Sequence, residues 1–265
     1  MCDIILNREM IKMLSQERQQ YIKEEIEKHG AVTTAALTKQ LEVSLETIRR
    51  DLLILEQNGV LKKVHGGAVR IEPMHRLRKL HRRLEENTDA KMRLAKTAVK
   101  YIDENDVIGI DSGSTAVSLA RELKGKFSYL TVVTHSLDVF SELSSDCGIR
   151  LILCGGEYLA DERAFYGSIT ESVLDGIYIN KMFMCPSAIS LKFGVCDWQN
   201  EMFSVQKKMA ERSEMIYALA DSSKFETKAL LKIGDASSYI YITDGALPNG
   251  IRELYAENGL KIITK

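Results

Sequence analysis

The chain has 265 residues, 45% hydrophobic and 28% charged, with 36 Lys plus Arg against 37 Asp plus Glu for a formal net charge of −1. Its longest uncharged run, Phe127 to Leu137, has 11 residues, far below the roughly 18 a membrane-spanning helix needs, so that class is excluded. Five cysteines (Cys2, Cys147, Cys154, Cys185 and Cys196) form no C-x-x-C pair; this argues against a disulfide framework or a structural zinc site and fits a reducing cytoplasm. No metal-ligand set or cofactor motif stands out.

The length suggests two domains, and charge divides them. Residues 1–83 carry 16 basic and 11 acidic side chains, net +5, and residues 84–265 carry 20 and 26, net −6. Eight Lys or Arg against Glu72 alone fall within residues 62–83, a footprint for a polyanion.

Residues 1–16 read as an N-terminal extension. Its apolar patch Ile4 to Leu6 is interrupted by Asp3, Arg8, Glu9 and Lys12, so it is a poor secretory signal, and Met10 and Met13 are alternative translation starts. From Glu17 to His29, Ile22 and Ile26 recur at helical spacing and Gly30 ends the segment. Thr33 or Thr34 caps a second, short helix with Ala36, Leu37 and Leu41 on its apolar face. Ser44 caps a third, with Glu46 in its first turn and Ile48, Leu52 and Leu55 turned inward. The two short helices across a tight turn predict a helix-turn-helix unit.

The third helix leaves Ser44, Thr47, Arg49 and Arg50 outside its buried face near its N-terminus, the part of a recognition helix that enters the major groove. Asp51 is expected to pair with a neighbouring arginine. Val60 to Val64 and Ala68 to Ile71 alternate as two strands around His65-Gly66-Gly67, a wing whose Lys62, Lys63 and His65 are placed to follow the DNA backbone or minor groove.

Arg18-x-x-x-Ile22-x-x-x-Ile26, Val43-Ser44, Thr47-Ile48-Arg49-Arg50-Asp51-Leu52, Leu55-Glu56, Gly59 and His65-Gly66-Gly67-Ala68 resemble, in that order, the DeoR family of bacterial repressors of sugar metabolism. The resemblance implies a winged helix-turn-helix over residues 17–71 that binds double-stranded operator DNA.

Residues 72–88 read as a basic connector in which Met74, Leu77, Leu80 and Leu84 have helix-like spacing. An α/β domain follows over residues 89–265. It opens with an amphipathic helix from Ala90 to Tyr101 and continues with strands at Val107–Asp111, Leu130–Val133, Arg150–Cys154, Lys181–Cys185, Met215–Ala220, Tyr239–Thr243 and Leu260–Thr264, alternating with helical segments. That alternation predicts a mainly parallel sheet, and such sheets bind ligands beyond the carboxyl ends of their strands.

At those ends stand Asp111-Ser112-Gly113-Ser114-Thr115, Thr134-His135-Ser136, Gly155-Gly156, Ser187, Asp221-Ser222-Ser223-Lys224 and Thr243-Asp244. Ser112 to Thr115 feed a helix predicted from Ala116 to Leu123, so amides and hydroxyls converge on a helix N-terminus as an anion cradle, with Lys224 as a cation. The loop is neither a P-loop nor G-x-G-x-x-G. A phosphorylated small molecule is therefore expected at Asp111, Ser112, Gly113, Ser114, Thr115, His135, Gly155, Gly156 and Lys224.

The resemblance extends over this part through Asp111 to Thr115, Val133-Thr134-x-Ser136, Gly155-Gly156, Tyr166-Gly167 and Asp221 to Phe225. It implies an effector domain similar in fold to ribose-5-phosphate isomerase with a sugar-phosphate ligand. The chain departs from the family at His135, where Asn is common, at Cys185-Pro186-Ser187, where a Gly/Asp-containing strand end is usual, and at Met202-Phe203, where Glu-Ala is usual.

Three functions compete. A homo-oligomeric, cytoplasmic repressor released by a sugar phosphate, with no catalytic residues, is the leading reading. A sugar-phosphate isomerase or deaminase carrying a DNA-binding module would use Asp111, Asp221, Asp244 or Lys224 as acid and base. A nucleotide-responsive regulator would stack a base on Tyr158, Phe165 or Tyr166.

Overall fold

A computed structural model describes residues 15–58, 60–64, 66–70 and 80–264. The expectations for residues 1–14, Gly59, His65, Ile71, Met74 and Leu77 lie outside the described residues. The chain divides into two units, Met1–Arg76 and Leu77–Lys265.

In the first unit, α1 (Ser15–His29) is followed by β1 (Ala31–Thr33), α2 (Thr34–Leu41), α3 (Leu45–Gln57) and a hairpin of β2 (Leu61–Val64) and β3 (Gly67–Arg70). The helical periodicities meet in one core: Ile22, Ile26, Leu37, Ile48, Leu52, Leu55 and Leu61 are buried together. Thr33 caps α2, its hydroxyl accepting from the Ala36 amide at 3.2 Å, and Ser44 caps α3 by accepting from the Thr47 amide at 3.2 Å. Each cap satisfies an amide the helix leaves unpaired.

Two features of this unit depart from expectation. The wing has a third strand, because β1 pairs antiparallel with β3 and sets Thr33 opposite Gly67. A Cβ on Gly67 would stand 2.1 Å from the Val32 carbonyl oxygen, so only glycine allows that approach. Asp51 is buried and pairs with an arginine outside its own helix: Arg18 Nε of α1 donates to its Oδ2 at 2.9 Å, while Ser15 Oγ and Gln19 Nε2 donate to its Oδ1 at 3.1 and 3.2 Å. Asp51 thus fastens α1 to α3, and Ser15, placed in the extension by sequence, belongs to this unit.

The second unit begins with α4 (Leu80–Glu85) and α5 (Thr88–Val99). The strand and helix succession is then β4 (Val107–Ile110), α6 (Ser114–Leu123), β5 (Leu130–Thr134), α7 (Leu137–Leu143) and β6 (Ile149–Leu153). A short hairpin, β7 (Glu157–Leu159) and β8 (Ala164–Tyr166), leads to α8 (Ser168–Asp175), β9 (Ile179–Met184), β10 (Ala188–Ser190), β11 (Gly194–Asp197) and α9 (Asn200–Glu211). The chain finishes with β12 (Ser213–Leu219), β13 (Leu231–Gly234), β14 (Ile240–Thr243), α10 (Asn249–Glu257) and β15 (Ile262–Thr264). The seven expected strands form one sheet in the order β15-β14-β12-β9-β4-β5-β6, parallel throughout.

Side chains alternate across this sheet as strand geometry requires. Ala218 and Ala220 pack in one core with Met182 and Met184, whereas Tyr217 and Leu219 pack in the other with Phe183 and Ile110. From β4 the chain builds outward through β5 and β6, then returns to the opposite side of β4 with β9 and builds outward again. The carboxyl ends of β4 and β9 therefore flank a topological switch point, where a crevice opens because the connections leave in opposite directions. The hairpin β7-β8 and the antiparallel sheet β10-β11-β13 were not expected; strands of three or four residues carry too few alternations to declare themselves. Among the described residues, no helix is long and apolar enough to cross a membrane.

Replacing Asp51 with Ala strips three donors, those of Arg18, Ser15 and Gln19, of their acceptor between α1 and α3. We expect a loss of about 1–3 kcal/mol, measured as a ~10- to 100-fold faster amide exchange in α1, with Arg50→Ala leaving exchange there unchanged.

Candidate functional site

The start of α3 presents the hydroxyls of Ser44 and Thr47, 2.8 Å apart, and the exposed guanidinium groups of Arg49 and Arg50. Arg49 makes an open contact of 3.7 Å with Glu46, both side chains well exposed, which holds it loosely. The Lys63 amide donates to Glu56 Oε1 at 2.8 Å, and the Gly66 carbonyl accepts from the Thr34 amide at 2.9 Å. The wing is thereby tied to both α2 and α3. Lys62 lies opposite Val69 in the β2-β3 register; His65 is outside the described residues.

In the second unit, α6 starts at Ser114, two residues before the expected Ala116, because Gly113 takes the cap position at φ +99°. Only glycine tolerates that conformation readily. Gly113 offers no capping side chain, so the first-turn amides beside Ser114 and Thr115 are left for an anion. Arg83 of α4 supplies a cation there: a Cβ on Gly113 would lie 3.6 Å from its Nη1. Arg83 was counted with the basic run ascribed to a polyanion; the structure instead turns it into the sheet domain, where it pairs with buried Glu162. Burial pushes the Glu162 carboxyl up and Arg83 opposes this.

Lys91 of α5 is a second cation that sequence reasoning missed. Its ammonium is buried and donates to the carbonyls of Arg83 and Glu86, the latter at 2.5 Å. Burial lowers its pKa, Asp221 opposes the shift, and Arg83 and Lys224 lie near enough to add to it. The signal was present in the sequence: Lys91 stands at helical spacing with Leu94, Ala95 and Ala98, on the buried face.

Asp111 and His135 are fully buried and bind each other. Asp111 Oδ1 accepts from the Ser112 amide at 2.7 Å and faces His135 Nε2 at 3.1 Å; Oδ2 accepts from the Cys185 amide at 3.0 Å and from Gln206 Nε2 at 3.1 Å. His135 Nδ1 meets the Phe165 carbonyl at 3.0 Å. These residues join the ends of β4, β5 and β9 to α9.

Gly156 has a packing role, and Gly155 contributes its backbone carbonyl. Thr170 Oγ1 donates to the Gly155 carbonyl, and a Cβ on Gly156 would fall 2.2 Å from that hydroxyl oxygen. Asp221 caps a short turn by accepting from the Ser223 amide at 3.0 Å, and Asp244 accepts from the Ser222 amide at 2.9 Å. Tyr158 and Phe165 pack on each other across the β7-β8 hairpin, centroids 5.4 Å apart.

A cavity lies at the switch point. Ser112, Gly113, Cys185 and Ser187 at the β4 and β9 ends line it together with Arg83, Glu162, Asp197, Gln199, Met202 and Gln206. Its free space is about 20 Å³, room for one water. Burial raises the Cys185 thiol well above its ordinary value, so it is no ready nucleophile. Two of the three departures read from sequence meet at this cavity, one through Cys185 and Ser187 and the other through Met202, and the third, His135, holds Asp111.

A wider, open cleft of about 510 Å³ separates the start of α5, at Asn87, Thr88 and Arg93, from Asp221, Ser222 and Asp244.

Residues 18–74 match the DeoR-like helix-turn-helix domain and residues 86–245 the DeoR C-terminal sensor domain. The chain is 32% identical to the L-fucose operon activator of Haemophilus influenzae over 93% of this chain and 98% of that protein. It is 34% identical to the lactose phosphotransferase system repressor of Lactococcus lactis over 74% of this chain and 78% of that one. Among solved structures, ribose 5-phosphate isomerase A of Methanocaldococcus jannaschii aligns at 20% identity with a TM-score of 0.41, over 53% of this chain and 55% of that chain.

Because four donors converge on Asp111, Asp111→Ala is expected to cost ~3–5 kcal/mol of stability, read from the midpoint of urea denaturation. Asp111→Asn, which keeps the shape and one acceptor oxygen, should cost less than half as much.

Proposed function

Since this chain belongs to the DeoR family of helix-turn-helix transcriptional regulators, we propose that it represses an operon of carbohydrate metabolism and that a phosphorylated sugar at the β4-β9 switch point relieves the repression. The observation that carries this reading is a cap-free helix N-terminus at Gly113 with the Arg83 guanidinium beside it, at the edge of a polar cavity. A phosphate needs amides and cations at close range, and a sugar needs an adjoining polar cavity.

In this reading Ser112, Gly113, Ser114 and Thr115 hold the phosphate with Lys91, Lys224 and Arg83, while Asp111 and His135 position the loop from beneath. Gly156 acts by letting α8 approach, and the Gly155 carbonyl accepts from Thr170. Entry of the ligand separates Arg83 from Glu162 and so moves α4, which continues the chain from the DNA-binding unit. Only a ligand that prefers the DNA-free arrangement can release the operator.

On the DNA side, Arg49 and Arg50 read base edges and Ser44, Thr47, Lys62, Lys63 and His65 hold the backbone. One such unit reads few base pairs, so the working form is a homo-oligomer with half-sites ~34–36 Å apart or a multiple of that. The names of the relatives, an L-fucose operon activator and a lactose phosphotransferase system repressor, support sugar control. An enzymatic role is not favoured: Asp111 is saturated by hydrogen bonds, and Asp221 and Asp244 are engaged in turn capping.

Arg49→Ala or Arg50→Ala is expected to weaken operator binding by ~1–3 kcal/mol with relaxed preference at one base pair, whereas Lys63→Ala lowers affinity for all sequences and reduces the salt slope by about 1. Retention of wild-type affinity in both folded arginine variants rules α3 out as the reader. For the effector side, a thermal-shift panel of sugar phosphates identifies the ligand, which at ~100 times its Kd adds ~2.7 kcal/mol. Ser114→Asp then abolishes the ligand's effect on operator affinity, and Lys224→Ala weakens it less. An undiminished response in Ser114→Asp puts the effector elsewhere.

A further inference from the structure

Part of the cavity lining has a composition that a neutral sugar does not match. Asp197 is buried, and its carboxylate accepts from Ser187 Oγ at 2.8 Å, from the Trp198 amide at 2.6 Å and from Gln206 Nε2 at 3.1 Å. All three donors are neutral. Burial raises the pKa of Asp197, its three hydrogen bonds oppose the shift, and the carboxylate of Asp111 adds to it. A buried carboxylate ordinarily has a cation beside it.

Gln206 makes the wall more one-sided. Its amide nitrogen is held between Asp111 Oδ2 and Asp197 Oδ2, each at 3.1 Å, which fixes the amide's orientation, since the opposite flip would set oxygen against two carboxylates. Its Oε1 is consequently buried without a hydrogen-bond partner, in a residue only 2% exposed. Gln199 repeats the pattern: Nε2 donates to Glu162 Oε1 at 3.1 Å, and Oε1 is buried and unpartnered. Asp197, Gln206 and Gln199 all line the cavity. Among the described residues, what remains unsatisfied here is acceptors, two amide oxygens beside a carboxylate with no ion-pair partner.

A ligand hydroxyl can give one hydrogen to one of these acceptors and leaves the charge of Asp197 as it was. A primary ammonium gives three hydrogens and neutralises it. We infer that the effector is an aminodeoxy sugar phosphate, its ammonium received by Asp197 with the oxygens of Gln206 and Gln199, and its phosphate at the Gly113 cradle. Such a ligand is negative at one end and positive at the other, and the cavity lining holds both the Arg83 guanidinium beside Gly113 and the carboxylate of Asp197. Complementarity of that kind selects against partners that match only one end.

This inference rests on the sugar-phosphate reading, and the test separates the two. The full chain is titrated calorimetrically with D-glucosamine 6-phosphate, D-glucose 6-phosphate and N-acetyl-D-glucosamine 6-phosphate, and with the three galacto counterparts. In at least one series the free amine is expected to bind 10-fold or more tightly than both the hydroxyl and the N-acetyl compound. Asp197→Asn should reduce that ratio below 3-fold. Equal affinity for amine and hydroxyl compounds in wild type overturns the ammonium subsite while leaving the sugar-phosphate reading in place. Persistence of the preference in folded Asp197→Asn also overturns it, and failure of all six compounds to bind removes both readings. The wild-type ratios decide the matter even if the variant does not fold.

Discussion

The carboxylate of Asp111 is where the sheet domain is tied together. It sits at the last residue of the β4 end, fully buried, and four donors reach it from four segments: its own loop, the loop after β5, the end of β9 and the middle of α9. Two of those segments flank the switch point, so the same bonds that close the sheet at its centre set the spacing of the crevice above it. A charge this deeply desolvated is tolerated only because its lone pairs are filled. The cradle of Gly113 and the acceptor wall around Gln206 are therefore positioned by one group, and neither can shift without disturbing the other.

A comparable division of labour holds in the DNA-binding unit. Arg18 and Asp51 are spent on joining α1 to α3, which leaves Arg49 and Arg50, on the same helix as Asp51, exposed for a partner. Adjacent residues on a helix point about 100° apart, so a run such as Arg49-Arg50-Asp51 contributes both to the outer face and to the packing within one turn.

Legibility in the sequence followed the length of each signal. The cap at Ser44 and the positions of Ile48, Leu52 and Leu55 specify α3 almost to the residue, and the seven strands of the parallel sheet are read from apolar runs between helices. β1, β7, β8, β10, β11 and β13 are too short for a period to show, and their pairing is decided by tertiary neighbours. Among site residues, the Ser112 to Thr115 loop was visible because its small residues and hydroxyls are consecutive. Arg83 was not, since a run of like charges gives no indication of which one turns inward, and Lys91 and Gln206 are each concealed as one polar residue on an apolar helix face. That last pattern is readable: a long polar side chain at core spacing requires a buried partner.

The smallness of the switch-point cavity has a kinetic meaning. A space for one water admits no sugar phosphate, so an effector bound there as proposed would enter only after Arg83 parts from Glu162. Association is then a two-step process in which the observed rate stops rising with concentration and levels off at the rate of opening.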